Sequence, residues 1–267
     1  MGGPHASGAR DVPAGFQGFV DRRDAGRQLA DLLCSYRGQD ALVMGIPRGG
    51  VAVAAAVSRS IGADLDVLVS RKVGVPILPE LALGAVTADG AQFMNQALAR
   101  ELGVSEWMFR VLANEQCAEA RRCEQRLRGR RPAPQMAGRT VILVDDGLAT
   151  GATMRAAIRS VRQAGPARLV VAVPVAAQPT CEALRAEVDE LICLLAPHPF
   201  FAVGVHYADF LPIDEDQCSG CSQRETAHAR EDLSARCQPA NSDRSWGRAA
   251  WPARGRNGPK RPRGFRR

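Results

Sequence analysis

The stretch that decides the fold runs Val141-Ile142-Leu143-Val144-Asp145-Asp146-Gly147-Leu148-Ala149-Thr150-Gly151-Ala152-Thr153. Thr140–Val144 is an unbroken apolar run rich in β-branched residues, the pattern of a strand buried on both faces. It delivers two adjacent carboxylates, Asp145 and Asp146, to its end. A turn of small residues, 149–153, then enters a helix expected over Gly151–Ala164. Small residues let backbone N–H groups converge, the helix N-terminus carries partial positive charge, and Thr150 and Thr153 add hydroxyl donors. The combination suits a sugar phosphate: the loop takes the phosphate, and the acids accept from ribose hydroxyls and help hold a metal that bridges to phosphate. It is not a Walker A loop, because no Lys-Ser/Thr follows the turn, and the chain holds no Gly-x-Gly-x-x-Gly fingerprint.

The same alternation repeats on both sides. Upstream, Asp21 is a candidate N-cap for a helix running to about Tyr36, with Leu29, Leu32 and Leu33 on one face. A buried strand is expected over 41–46, a helix over 51–60 and a second buried strand over 65–70. Arg71–Pro79 shows no helical periodicity. Leu83–Thr87 and Gln92–Asn95 flank Ala88-Asp89-Gly90, a hairpin turn. Ser105–Arg128 reads as a long helix with Trp107, Val111, Leu112 and Ala118 inward, and Gly129–Gly138 breaks it. Downstream, a strand over 169–175, a helix over 179–187 and a strand over 191–195 complete the series. Continuous apolar strands alternating with helices predict an α/β fold with a mainly parallel central sheet, and in such sheets ligands bind beyond the carboxyl ends of the strands.

On these residues the chain resembles the type I phosphoribosyltransferases over roughly 20–217. Their signature is an apolar strand, two acids, two mostly aliphatic residues and a small, Thr-rich phosphate loop; Gly147 departs from it mildly. Two further stretches agree. Pro47-Arg48-Gly49-Gly50 ends the first strand, and its glycine pair permits a backbone that other residues resist; in the family this loop holds pyrophosphate and often has an unusual peptide geometry. Arg71-Lys72 follows the second strand, where the family has a mobile loop, and Lys72 is the one lysine in residues 1–217.

The resemblance implies a Rossmann-like fold with a small hood and a flexible β-hairpin loop. It also implies the reaction: 5-phosphoribosyl 1-pyrophosphate (PRPP) and a nitrogenous base, with Mg2+, give a ribonucleotide and pyrophosphate. Asp145 and Asp146 would bind the ribose hydroxyls, with Mg2+ carried on PRPP nearby. Ala149, Thr150, Gly151, Ala152 and Thr153 would take the 5′-phosphate, and Arg48, Gly49 and Gly50 the pyrophosphate. Arg71 and Lys72 would stabilise the leaving group as catalytic residues beside the acid pair. Purine-salvage members often carry an acid at the position of Ala149, which weakens a hypoxanthine or guanine acceptor. The competing reading is a non-catalytic PRPP- or nucleotide-sensing module whose basic tail contacts nucleic acid. Homodimers are common in the family.

Charge and composition set the outer limits. The chain has 267 residues with a formal net charge of +7. Residues 218–267 hold 12 basic and 4 acidic residues, leaving 23 basic against 24 acidic in 1–217. The body is therefore near neutral, which excludes a basic nucleic-acid-binding domain. Leu233 and Phe265 are the only Val/Ile/Leu/Met/Phe residues after Gln217, so 218–267 reads as a disordered tail with only non-specific electrostatic reach toward nucleic acid. The Gly/Pro-rich residues 1–18 read as a flexible arm, leaving 19–217 as the domain. No apolar run is long enough to span a bilayer, and no export signal or regular cysteine framework stands out, so the chain reads as cytoplasmic with reduced thiols. Cys218 and Cys221, with His228 and Cys237, lack the spacing of a zinc finger. The aromatic stretch from His198 to Phe210 fits a hood or a hydrophobic patch, and Asp214-Glu215-Asp216 a solvated acidic turn.

Overall fold

Five apolar runs form one parallel sheet because each can bury both faces: β1 (Ala41–Gly45), β2 (Asp64–Val67), β6 (Thr140–Val144), β7 (Arg168–Val175) and β8 (Glu190–Leu195). The computed structural model describes residues 18–75, 78–214 and 216–218. Apart from their inner ends, the arm expected over 1–18 and the tail expected over 218–267 lie outside these residues.

The strand order is β2-β1-β6-β7-β8. Ala41 pairs with Thr140 and Gly45 with Val144, so two strands far apart in sequence lie side by side in register. The chain leaves β1 through α2 (Gly49–Ile61) toward β2, and leaves β6 through α5 (Ala152–Gln163) and α6 (Gln178–Leu184) toward β7 and β8. Right-handed crossovers in opposite directions put the helices on opposite faces. Val43, Ile142, Val144 and Val170 pack with α2 and with α1 (Arg22–Leu32). Leu42, Met44, Leu143 and Val171 pack with Met154, Ile158 and Val161 of α5 and Leu184 of α6.

A second, antiparallel sheet holds β3 (Ser70–Val75), β4 (Leu78–Thr87) and β5 (Gln92–Met94). Val73, Leu83 and Val86 meet Ala99 of α3 (Gln96–Glu101) and Phe109 of α4 (Glu106–Arg128). Ala85 and Phe93 instead meet Ala152 and Ala156 of α5.

Several sequence expectations need correction. The second parallel strand ends at Val67, and Ser70–Val75 begins a strand of the other sheet, paired Arg71 to Val86 and Lys72 to Ala85. The two polar side chains and the register shifts at Val73–Val75 hide it from an apolar-run reading. On α4, Trp107 is 73% exposed and Val111 42% exposed, and Ala118 is also exposed. The buried face is Phe109, Ala113 and Cys117 against β3 and β4, and Ala120, Cys123 and Leu127 against Val67 of β2 and Val51 of α2. Leu32 is exposed, because Leu29 and Leu33, four apart, take the inward face. Helix α6 stops at Leu184.

The end of the described chain is packed. Cys218 is buried among Val51, Val67, Ala120 and Leu127, and Asp214 Oδ1 accepts from Gln217 N at 2.7 Å. Cys221, His228 and Cys237 lie outside the described residues. Among the described residues no helix is long and apolar enough to cross a membrane.

Candidate active site

The carboxyl ends of β1 and β6 are neighbours from which the chain departs in opposite directions, the arrangement that opens a ligand crevice. Backbone hydrogen bonds lock these ends together: Ile46 N donates to Val144 O at 2.9 Å and Leu68 N to Gly45 O at 3.0 Å. Past the acids, Leu148 N donates to Val175 O and Ala177 N to Leu148 O, both at 2.9 Å. Loop 145–151 is thus held at both sides before it enters α5.

Two loops meet across this junction. The peptide between Pro47 and Arg48 is cis, matching the unusual geometry expected there. A Cβ on Gly49 would sit 1.8 Å from Asp146 Oδ2, and one on Gly50 would sit 2.8 Å from Asp145 Cα. Both positions therefore demand glycine for contact rather than for backbone angle. Gly151 demands it for angle: it caps α5 at φ 72°, and the first N–H groups of the helix have no intrahelical acceptor. Ala149 and Thr150 are exposed, whereas Gly151 and Ala152 are buried. Thr180 of α6 braces the turn, its Oγ1 donating to Ala149 O at 2.6 Å.

The acid pair is asymmetric. Asp145 Oδ1 accepts from Asp146 N at 2.8 Å. Desolvation, then the neighbouring Asp146 charge, holds the Asp145 carboxyl well above the usual carboxylate range; the Asp146 N–H and Lys72 pull the other way. Asp146 Oδ2 accepts from Arg22 Nε at 2.8 Å, and Tyr207 Oη donates to Asp146 O at 2.6 Å.

Of the site residues expected from sequence, the structure brings together Gly49, Gly50, Asp145, Asp146 and the 149–153 loop, with Arg48 exposed at the start of α2. Lys72 pairs with Ala85, which packs on the first turns of α5, and it acts electrostatically on Asp145. Among the described residues neither Arg48 nor Lys72 makes a side-chain hydrogen bond or ion pair, so both cations are available to an anion. Arg71 is not brought in. Alternation along β3 turns it toward α4, where its Nε donates to Gln116 Oε1 at 3.0 Å.

Sequence reasoning missed Arg22 and the contacts that tie the aromatic stretch to Asp146. Phe19 and Tyr207 rings lie 5.3 Å apart and Tyr207 and Phe210 rings 4.9 Å apart, and Phe19 N donates to His206 O at 2.9 Å. This hood packs against the first helix beside Asp146. His206 stacks on Phe200, and burial lowers its pKa; His198 is exposed. The signal for the hood was the aromatic density of 200–210, whereas nothing in the local sequence marked Arg22.

Residues 22–209 match the family described as phosphoribosyl transferase domain. Two Mycobacterium tuberculosis proteins, both named as phosphoribosyl transferases, are 41% identical over 199 residues, which is 74% of this chain and 45% of theirs. The chain thus spans about half the length of the curated relatives it matches. A crystal structure of a Thermus thermophilus protein is 42% identical, covers 77% of this chain and 97% of that one, and superposes with a TM-score of 0.66. With the acid pair, the glycine contact and the helix-capped loop assembled at one strand junction, and the family match spanning all three, the chain belongs to the phosphoribosyl transferase domain family.

Proposed function

We propose that the protein binds PRPP with Mg2+ across this junction and transfers the phosphoribosyl group to a nitrogen nucleophile, releasing pyrophosphate. One observation carries the reading. Gly49 and Gly50 press against Asp146 and Asp145, beside the N-terminus of α5, which no side chain caps, and near Lys72, whose charge acts on Asp145. That juxtaposition supports a succession of anion, diol and anion subsites matching PRPP.

In this reading the N–H groups of 150–153, with the Thr150 and Thr153 hydroxyls, hold the 5′-phosphate. Asp145 and Asp146 accept from the ribose hydroxyls and fix the ring. Arg48 and the Gly49–Gly50 backbone hold the pyrophosphate, and Lys72 offsets the charge that grows on it as the glycosidic bond breaks. Hood residues Tyr207 and Phe210 wall the acceptor side and exclude water from an electron-poor ribosyl carbon.

The donors present suit a magnesium ion. The acids are adjacent at a strand end, and among the described residues no cluster of three or more His, Cys, Asp or Glu could cage a metal alone. That pattern would suit an ion carried on the phosphate oxygens of its substrate, near Asp145 and Asp146. When bound, Mg2+ supplies charge neutralisation at the pyrophosphate.

Ala149 constrains the acceptor. A methyl group stands where purine-salvage members of the resembled family often carry an acid, so the site offers no carboxylate there to the incoming nitrogen, and an acceptor already nucleophilic at neutral pH fits best.

The test is pyrophosphate release on incubation with PRPP, Mg2+ and a panel of nitrogenous acceptors, beside calorimetric titration of PRPP. Release with one acceptor supports the reading. PRPP binding without release for any acceptor favours the sensing module. Asp145→Asn/Asp146→Asn should abolish PRPP binding with an unchanged circular dichroism spectrum, and unaltered affinity in that variant would remove the site assignment.

A further inference from the structure

Arg22 stands where its own helix gives it no reason to be. It opens α1, and a cation in the first turn opposes the helix dipole, which favours acids there. Its side chain is nevertheless only 11% exposed, and that of Asp146 16%. Three faces of the guanidinium are used at once. Nε donates to Asp146 Oδ2 at 2.8 Å and Nη1 to Leu211 O at 3.0 Å, and the plane lies over the Phe210 ring at 3.8 Å from its centroid. Gly49 closes the fourth side, since a Cβ there would lie 2.9 Å from Arg22 Nε. One side chain thus touches the acid at the end of β6, the loop after β1 and the hood after β8.

We propose that Arg22 is a positioning residue that fixes the ribose-binding carboxylate Asp146 and docks the hood against it. The inference rests on the phosphoribosyl reading above and names a residue that reading does not require. A carboxylate facing a polyanion repels it; a guanidinium bound to Oδ2 of Asp146 offsets that repulsion without engaging Oδ1. Lysine cannot reproduce the arrangement, because a single ammonium lacks the planar fork that donates in two directions while stacking on a ring.

The role separates from simple scaffolding by ligand choice. Ribose 5-phosphate and PRPP carry the hydroxyls that meet Asp146, whereas inorganic pyrophosphate with Mg2+ uses the loop of Arg48–Gly50 and Lys72. Calorimetric titration of Arg22→Met should show about a ten-fold loss of affinity for PRPP and for ribose 5-phosphate, the order expected of one charge-assisted hydrogen bond. Affinity for magnesium pyrophosphate should stay within about two-fold. Arg22→Lys, which keeps the charge, should recover part of the loss for PRPP. Arg22→Met with wild-type affinity for all three ligands overturns the inference. So does an equal loss for all three, which is the mark of a merely structural clamp. If the wild-type protein binds neither PRPP nor ribose 5-phosphate, the phosphoribosyl reading itself falls, and this inference with it.

Discussion

Replacing Gly49 by alanine tests the junction most directly. The new Cβ would lie 1.8 Å from Asp146 Oδ2 and 2.5 Å from its Cγ, against a floor of 3.0 Å for real contacts. The carboxylate must therefore retreat by at least the difference, 1.2 Å. Its way back is blocked, because Arg22 Nε holds the same oxygen at 2.8 Å and is itself 2.9 Å from the new atom. Either the pair breaks or the loop shifts outward. Breaking a largely buried pair costs about 3–5 kcal/mol, and loop relaxation at exposed Arg48 lowers this to about 2–4 kcal/mol. For a domain near 200 residues that is a fall in Tm of about 5–15 °C. PRPP affinity should drop by at least about ten-fold, because the ribose contact proposed for Asp146 would be lost. Far-UV circular dichroism melts and calorimetric titration measure both effects. In an Arg22→Met background the carboxylate is free to swing, so the same substitution should cost at least about 1 kcal/mol less. Wild-type Tm and affinity in Gly49→Ala, or strict additivity in the double variant, would refute the claim that loop, acid and guanidinium form one packed unit.

Lys72→Ala should cut pyrophosphate release by about a hundred-fold, while Arg71→Ala changes it by no more than about two-fold, since Arg71 is tied to Gln116; equal losses in a steady-state assay would contradict the assignment. Thr180→Val removes the hydroxyl that donates to Ala149 O, and titration should show PRPP affinity falling several-fold with a stability loss of about 1 kcal/mol. Acid stability should depend on Asp189, whose pKa is lowered by hydrogen bonds first from Arg162 and then from Leu169 N. A depressed folded-state pKa gives stability that is present above the unfolded value of about 3.9 and lost as pH falls through the folded value. Melts from pH 6 to pH 3 should therefore show a flatter acid limb for Asp189→Asn than for the wild type, and parallel limbs would remove Asp189 as a contributor.

The parts legible in the sequence were those where one local pattern has one physical outcome. Thr140–Val144 and Leu169–Val175 had to be buried strands, and two acids followed by small residues at a strand end had to form a polar, anion-ready turn. Legibility failed where a tertiary partner decides. Trp107 and Val111 looked like core by hydrophobicity, but α4 turns Phe109, Ala113 and Cys117 to β3 and β4, and Ala120, Cys123 and Leu127 to β2 and α2, leaving the indole on the solvent side. Ser70–Val75 did not read as a strand because its Arg-Lys pair is polar and its register is interrupted. Arg22 sits in Arg-Arg-Asp-Ala-Gly-Arg, an ordinary polar helix start, and its partner lies 124 residues away. A contact of that span leaves no periodic trace.

The strand order has a consequence for how the chain is made. β1 takes β2 as one neighbour early, but its other neighbour, β6, is synthesised some hundred residues later, when Thr140 arrives beside Ala41. Until then a nascent chain on the ribosome presents β1 as a bare apolar edge, the kind of surface on which chains stick to one another. Closure then waits for Leu211 to reach Arg22, so the earliest helix and the last hood residues dock only once almost everything between them exists. Such long-range pairing folds slowly. A ligand gripping Gly49, Asp146 and Gly151 together would fasten this late-joining seam, and at a hundred times its dissociation constant it would add about 2.7 kcal/mol against reopening.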